Sequence, residues 1–580
     1  MLKLLFKYLK PYVLTVLAIF ILVAAQSYLE LMLPDQMAKV VGLIGQGEEA
    51  VGKMLGFGGI ALAYAAGATL CGVTFGFLAA RTSNAFGRDL REAVFKKVQG
   101  FSLSEFDKLG TSSLITRTTN DIMQIVNVLT MIMRMLINVP IMMIGGVIMA
   151  IGKNARLTLV LAGSVPALVI LILAILIVAM PLFMSMQKRI DKLTLVAREG
   201  ITGVRVIRAF NKNDTQSKKF EGANWDVAKN AIKVNRIMAI MMPLVMFIFY
   251  MTTIALYYTA ALNANSLIYL ANLTAVVQYC MRIMMSFIML AMLFIFIPRA
   301  SASAKRIRQV LETEETIKDK ENPVALETAK TDEGLSFNDV TFYFPGAEEP
   351  SVSNVSFSGR KGETVAIIGG TGSGKSTIIN LAERFYDVTS GNITLNGVDI
   401  RDITQKELRG KIGFVPQTST LFSGTVKENI MFGSPGLTDG EVAEAARIAQ
   451  AADFIEKLPE QYDAPVAQGG TNFSGGQKQR LSMARAIAKK PEVFIFDDSF
   501  SALDFKTDAK LRRALSLITK QSLVLIVAQR ISTIMNADKI LVIEHGRVVG
   551  SGTHAELLEN CPTYAEIANS QLNLKEGATA

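Results

Sequence analysis

The chain has 580 residues, of which 50% are hydrophobic and 19% charged, with a formal net charge of +10, and its mean hydropathy is +0.34. This balance excludes an ordinary soluble protein of that length, and the 3 cysteines, Cys71, Cys280 and Cys561, have no pairing or metal-ligand spacing. The basic residues cluster beside apolar runs without aromatic interleaving, so they read as a membrane-topology signal and not as a nucleic-acid surface.

Before residue 300 there are about six mostly apolar segments of roughly 20 or more residues, each long enough to cross a bilayer as a helix. They run approximately from 12 to 34, 55 to 80, 131 to 152, 157 to 184, 236 to 262 and 273 to 298. The first spans without a small-residue cleavage site, which argues against a cleavable leader. Lysine and arginine are dense in three stretches: the N-terminus (Lys3, Lys7, Lys10), 81 to 130 (Arg81, Arg88, Arg91) and 185 to 235 (Lys188, Arg189, Arg198); residues 263 to 272 carry no charge. Both termini and both long loops are therefore expected in the cytoplasm of a multi-pass cell-membrane protein, with Lys153 and Arg156 as interfacial anchors.

The two long loops are helical in pattern, and a helix of about 20 residues reaches roughly 30 Å, so something must dock below the membrane. The expected organisation is a membrane domain over 1–310, a charged linker over 311–332 containing Pro323, a soluble α/β domain over 333–572 and a disordered tail over 573–580.

In the soluble part the apolar run Glu363 to Ile368 reads as a buried strand, and Thr377 to Ala382 as a helix. Between them stands Gly369, Gly370, Thr371, Gly372, Ser373, Gly374, Lys375, Ser376, a complete phosphate-binding loop leading into Thr377. Its backbone N–H groups can wrap phosphates, Lys375 can reach the β/γ oxygens and the Ser376 hydroxyl can ligate Mg²⁺. ATP and Mg²⁺ are the expected cofactors. Downstream follow Gln417 in GFVPQ, FSGGQ at Phe473, Ser474, Gly475, Gly476 and Gln477, the strand VFIF into Asp497 and Asp498, and SALD at Ser501, Ala502, Leu503 and Asp504.

This order resembles the nucleotide-binding domain of ATP-binding cassette (ABC) transporters, and the six spans resemble the membrane domain of ABC exporters. The loop segments 101 to 121 and 198 to 214 are similar to that family's intracellular loops, whose coupling helices press on the cassette. The resemblance implies a polytopic α-helical membrane domain followed by an α/β P-loop domain. It implies Phe344 of FYFPG as the aromatic that stacks on adenine, where Tyr is usual; stacking needs only the ring face. It also implies Asp497, Gln417 and Ser376 as the Mg²⁺-side ligands, the SALD residues as the D-loop, and the FSGGQ signature, opening a helix with a positive dipole end, as the γ-phosphate contact for the other cassette of a dimer.

The chain departs from the family at the chemistry. Glu is usual after the strand aspartate and His after a later strand, but here stand Asp498 and Gln529, and the only histidines are His545 and His554. An Asp carboxylate holds attacking water roughly 1.5 Å out of place, and misplacement on that scale costs about 10²-fold. Gln529 can donate to a γ-phosphate but cannot carry the proton or charge of an imidazole. Gln468 replaces a Glu usual in that stretch, which puts its role in cross-talk in doubt. The pattern resembles the degenerate half of heterodimeric exporters: a weak site of its own, and an intact signature completing the competent site of a second half-transporter.

Methionine is abundant in the membrane half, where it serves as filler or as an adaptable apolar lining. Arg282, beside Gln278, Met281 and Met285, lies inside the last span, where a charge must face a hydrated cavity or a partner, while Arg134 nearer a span end reads as snorkelling. The expected cargo is an amphipathic small molecule or peptide moved outward. Import of a metal chelate by an exporter-shaped heterodimer, or a regulatory ATP-gated subunit, are the alternatives.

Overall fold

The computed structural model describes residues 2–44, 46–263, 267–326, 334–501 and 503–576. Residues 327–333 at the end of the linker, Ala502 of the D-loop and residues 577–580 of the tail lie outside the described residues. The chain divides into two compact units, one formed by 1–99 with 111–313 and the other by 100–110 with 314 onward. The short segment 100–110, which the sequence counts with the membrane domain, thus folds with the cassette.

The first unit contains 6 helices long and apolar enough to cross a membrane: α1 Val13–Gly42, α2 Glu49–Gln99, α3 Thr111–Lys153, α4 Ala155–Thr202, α5 Asn213–Asn263 and α6 Leu267–Glu312. They run well beyond the apolar segments because hydropathy marks only the part that meets lipid, whereas backbone hydrogen bonding continues into charged sequence. α3 contains two π turns, Arg117–Asp121 and Ile141–Gly145, the second directly after Pro140, which cannot donate to the ladder. Asn154 stops this helix in an extended conformation and caps the next, its carboxamide oxygen accepting from the backbone N–H groups of Arg156 and Leu157. Lys153, expected as an interfacial anchor, pairs with Asp35.

Among its described residues, the second unit has two main sheets and a two-stranded ribbon pairing Gly424–Thr425 with Pro465–Val466. β1 Leu335–Phe342, β2 Val352–Gly359, β4 Ser390–Leu395 and β5 Val398–Asp399 form an antiparallel sheet in the order β2-β1-β4-β5. The second sheet combines β3 Thr364–Gly369, β6 Ile412–Val415, β7 Val493–Asp497, β8 Leu523–Val527, β9 Lys539–Glu544 and β10 Arg547–Gly552. Its order is β10-β9-β3-β8-β7-β6, with all neighbours parallel except β9 and β10. β3 is central and buried on both faces, as parallel strands require: Val365 and Ile367 enter one core, Ala366 and Ile368 another. Helix α7 Lys375–Ala382 follows β3, α8 Gly475–Ala488 precedes β7, and α9 Phe505–Ile518 follows it. A final helix α10, Pro562–Glu576, shows that the tail expected to be disordered from 573 is helical through Glu576, extending a segment anchored by the fully buried Tyr564.

Candidate nucleotide site

Four parallel strands bring the site together at their carboxyl ends, where α/β folds bind ligands. Val527 pairs with Ile367 on one side and with Asp497 on the other, and Val415 pairs with Phe496. That register sets the phosphate loop, Asp497 and Asp498, Gln529 and Gln417 on one sheet edge, although as many as 160 positions separate the first from the last in sequence.

The loop is pressed from below and open above. A Cβ added at Gly369 would overlap the Ile543 carbonyl, and one at Gly374, whose φ is +102°, would stand 2.7 Å from the Ser351 carbonyl; at Gly370 and Gly372 it would meet nothing within 4 Å. The Lys375 ammonium donates to the carbonyls of Gly369 at 2.9 Å and Gly370 at 2.6 Å. Burial pushes its pKa down, opposed by the carboxylates of Asp497 and Asp498. Thr377 holds the loop to β2's approach through Ser351 at 2.8 Å, and Ser376 is exposed beside them.

Asp497 and Asp498 are both held above the usual carboxylate range, chiefly by burial, and Asp498 raises Asp497 further. Asp498 sits in the left-handed region at φ 43°, a conformation Asp tolerates through short local hydrogen bonds. Its N–H donates to the Val527 carbonyl at 2.9 Å, and its carboxylate accepts from the Gln417 amide at 3.4 Å and lies near the backbone of Gln529. The two departures from the family pattern are thus neighbours. Two neighbouring, partly desolvated carboxylates, with the Gln417 amide on Asp498 and the exposed Ser376 hydroxyl at the start of α7, are hard oxygen donors of the kind Mg²⁺ takes, so Ser376, Gln417 and Asp497 could hold it.

Phe344 lies 37% exposed, edge-on to Phe342 and Tyr386 with ring centroids 5.0 and 5.5 Å away. Tyr386, which sequence reading missed, donates at 3.1 Å to Asp107 on the short helix Leu103–Leu109 of the 100–110 segment. Burial, reinforced by Asp107, pushes the phenol pKa up to about 12. That helix is itself fixed by a Ser102/Glu105 capping box, and Glu105 also accepts from the Thr316 N–H at 3.3 Å. A second residue missed is Gln571 of α10, whose amide donates to the Gln529 carbonyl and accepts from the Ile531 N–H, both at 2.8 Å. No local pattern marks either residue, because each partner is distant in sequence. Tyr386→Phe removes only a hydroxyl and keeps the ring contacts. It is expected to cost roughly 1–3 kcal/mol, read as a lowered unfolding midpoint; an unchanged midpoint would show that this bond does not hold the 100–110 segment in place.

The signature belongs to a different core from the phosphate loop. Phe473 is buried with Leu481 and Val426, whereas Ile378 and Ile379 of α7 lie in the other cluster. Ser474 caps α8 reciprocally with Gln477, its N–H donating to the Gln477 side chain at 2.9 Å, and Ser474 and Gly475 are exposed. Of the D-loop, Asp504 caps α9 through the Thr507 N–H at 3.1 Å, Ser501 donates to the Asp498 carbonyl at 2.8 Å, and Leu503 is buried. Gln468 is exposed in a tight turn before the signature. In the membrane unit, Gln278, Met281, Arg282 and Met285 line one cavity of about 350 Å³ together with Glu30.

Residues 352–501 match the family model described as ABC transporter, and residues 13–287 match that for the ABC transporter transmembrane region. An uncharacterized ABC transporter ATP-binding protein of Mycobacterium tuberculosis is 38% identical over 98% of both chains. The chain belongs to the ABC transporter family. This ABC transporter is also 28% identical to a multidrug resistance ABC transporter ATP-binding and permease protein of Lactococcus lactis, over 94% of this chain and 92% of the relative. Among solved structures, a bacterial Atm1-family ABC exporter with ATP bound superposes with a TM-score of 0.80 at 25% identity, covering 97% of this chain and 98% of that one. The protein is therefore an ABC exporter half-transporter, a multi-pass membrane ATPase and translocase subunit whose cassette binds ATP.

Proposed function

We propose that this half-transporter pairs with a different, catalytically competent one in the cell membrane, both termini and the cassette being cytoplasmic, to export amphipathic small molecules or peptides. The observation that carries the reading is that Asp498 and Gln529 stand at the carboxyl ends of adjacent strands where both water-activating groups of one site would lie, while the signature start at Ser474 and Gly475 is intact and exposed. The chain's own site then holds ATP. Lys375 and the loop N–H groups bind the phosphates, Phe344 faces the base, and Ser376, Gln417 and Asp497 hold Mg²⁺, which when bound neutralises charge on the β- and γ-phosphate oxygens. Asp498 does not reach the attacking water, so turnover falls to the partner's Glu-type site, to which this chain contributes its signature. Closure of the two cassettes on ATP turns the cavity outward, and hydrolysis resets it.

The purified chain, free of any second half-transporter, is expected to bind ATP yet hydrolyse it about 10²-fold more slowly than the pair. The measurement is nucleotide binding and phosphate release on the same preparation. Turnover by the single chain at the rate of the pair would overturn the proposal.

A further inference from the structure

The membrane unit carries a second chemical pattern, laid along two helix faces. On α3, Asn120, Gln124, Asn127, Met131, Arg134 and Asn138 recur at spacings of three and four and so share one face. On α6, Gln278, Arg282, Met285 and Met289 follow the same spacing, and Phe296 and Arg299 rejoin that face two turns further on. These residues line cavities: one of about 900 Å³ receives the α3 residues from Asn120 to Arg134 together with Phe296 and Arg299, and the 350 Å³ cavity receives Asn138 with Arg282. A third, about 550 Å³ and walled by Met180, Phe183, Met238 and Met292, again reaches Arg299. The linings are thus apolar and methionine-rich with a few amides, and all three arginines open into them.

The charges do not cancel. Arg282 pairs with Glu30 at 3.2 Å, and Glu30 also accepts from Gln26 at 2.9 Å. Glu30 is the only acid lining any of the three cavities, among the described residues. The nearest acid on α3, Asp121, is taken by Arg306 at 2.7 Å and Ser303 at 2.9 Å. Arg134 and Arg299 have no carboxylate within ion-pair distance among the described residues, and Arg134, which the sequence suggests as snorkelling, lines the largest of the three cavities. Arg134 stands near the start of the apolar segment of α3 and Arg299 just past the end of that of α6, both exposed, so a bound anion can supply the counter-charge that no protein carboxylate provides.

We infer that the cargo is an amphipathic anion, its carboxylate, sulfonate or phosphate held by Arg134 and Arg299 and its apolar body by the methionine and phenylalanine walls. Arg282 is neutralised by Glu30 and contributes less. This deepens the export reading by fixing the sign of the substrate's charge.

The test uses the full chain with the half-transporter it purifies with, in phosphatidylcholine nanodiscs, and two probes of matched length, a dansylated undecanoic acid and the dansylated alkyl trimethylammonium. The acid is expected to bind more tightly than the ammonium, and Arg134→Gln and Arg299→Gln are each expected to weaken acid binding about tenfold without weakening the ammonium. Glu30→Gln should not weaken the acid. Equal binding of both probes, tighter binding of the ammonium, no binding of either, or arginine variants that bind the acid as the parent does would overturn the inference. Displacement of the acid by phosphatidylglycerol would identify a lipid as the source of the anion, and its absence a water-borne compound. Transport direction in vesicles and the ATPase asymmetry are scored separately, so inward movement would overturn export and leave the charge preference standing.

Discussion

Replacing Ser474 by arginine is expected to abolish steady-state ATP hydrolysis by the assembled pair, by more than about 10²-fold, whereas Lys375→Ala is expected to leave most of it. Ser474 caps α8 at an exposed helix start, and in the proposed pair the N–H groups beside it would meet a γ-phosphate on the opposite cassette. An arginine there loses the reciprocal cap with Gln477 and fills the space the phosphate needs. Lys375 instead serves the chain's own loop, which in the proposed pair retains ATP without turning it over, so its loss is expected to reduce nucleotide occupancy at that site. The comparison is made at saturating ATP on complexes of equal purity, with trapped nucleotide counted per complex. Equal losses would mean that both sites turn over alike, and the asymmetric pairing would have to be abandoned.

Restoring the chemistry should produce the second large effect. With the partner's catalytic Glu changed to Gln, the double change Asp498→Glu and Gln529→His in this chain is expected to raise hydrolysis by about 10²-fold over that silent background. The longer carboxylate would pass beyond the Gln417 amide and the Gln529 backbone that now flank Asp498. The backbone opposes the exchange modestly: φ at position 498 is 43°, which Asp tolerates better than Glu, so thermal unfolding of the double variant should be measured beside its rate. A folded double variant without activity would show that another element of the site, the replacement at Gln468 being the first to examine, is also defective.

The parts of this protein legible in its sequence are those carried by short-range spacing. Six apolar runs announced six spans, and glycine placement at 369–374 announced the loop that the Ile543 and Ser351 carbonyls leave no room to change. Asp498 and Gln529 stood out because motif order fixed where each must lie. What could not be read was pairing between distant residues: Tyr386 with Asp107, Gln571 with the Gln529 carbonyl, Glu30 with Arg282. Each of these side chains is unremarkable within its own window, and only the fold supplies its partner. Helix ends escaped for a related reason, since α2 and α5 continue as helices through sequence too polar for a hydropathy rule to follow.

The bond between Asp107 and Tyr386 spans 279 positions. At ordinary translation speeds the phenol leaves the ribosome roughly 14 to 56 seconds after the carboxylate. For that interval the 100–110 segment, already tethered between two inserted helices, has no cassette to join, because every other residue of its unit lies from 314 onward. Biogenesis of the protein therefore contains an enforced wait, in which the helix Leu103–Leu109 exists without the unit it folds into. A chain truncated before Tyr386 keeps that segment without its partner, so its acidic and apolar faces stay in water.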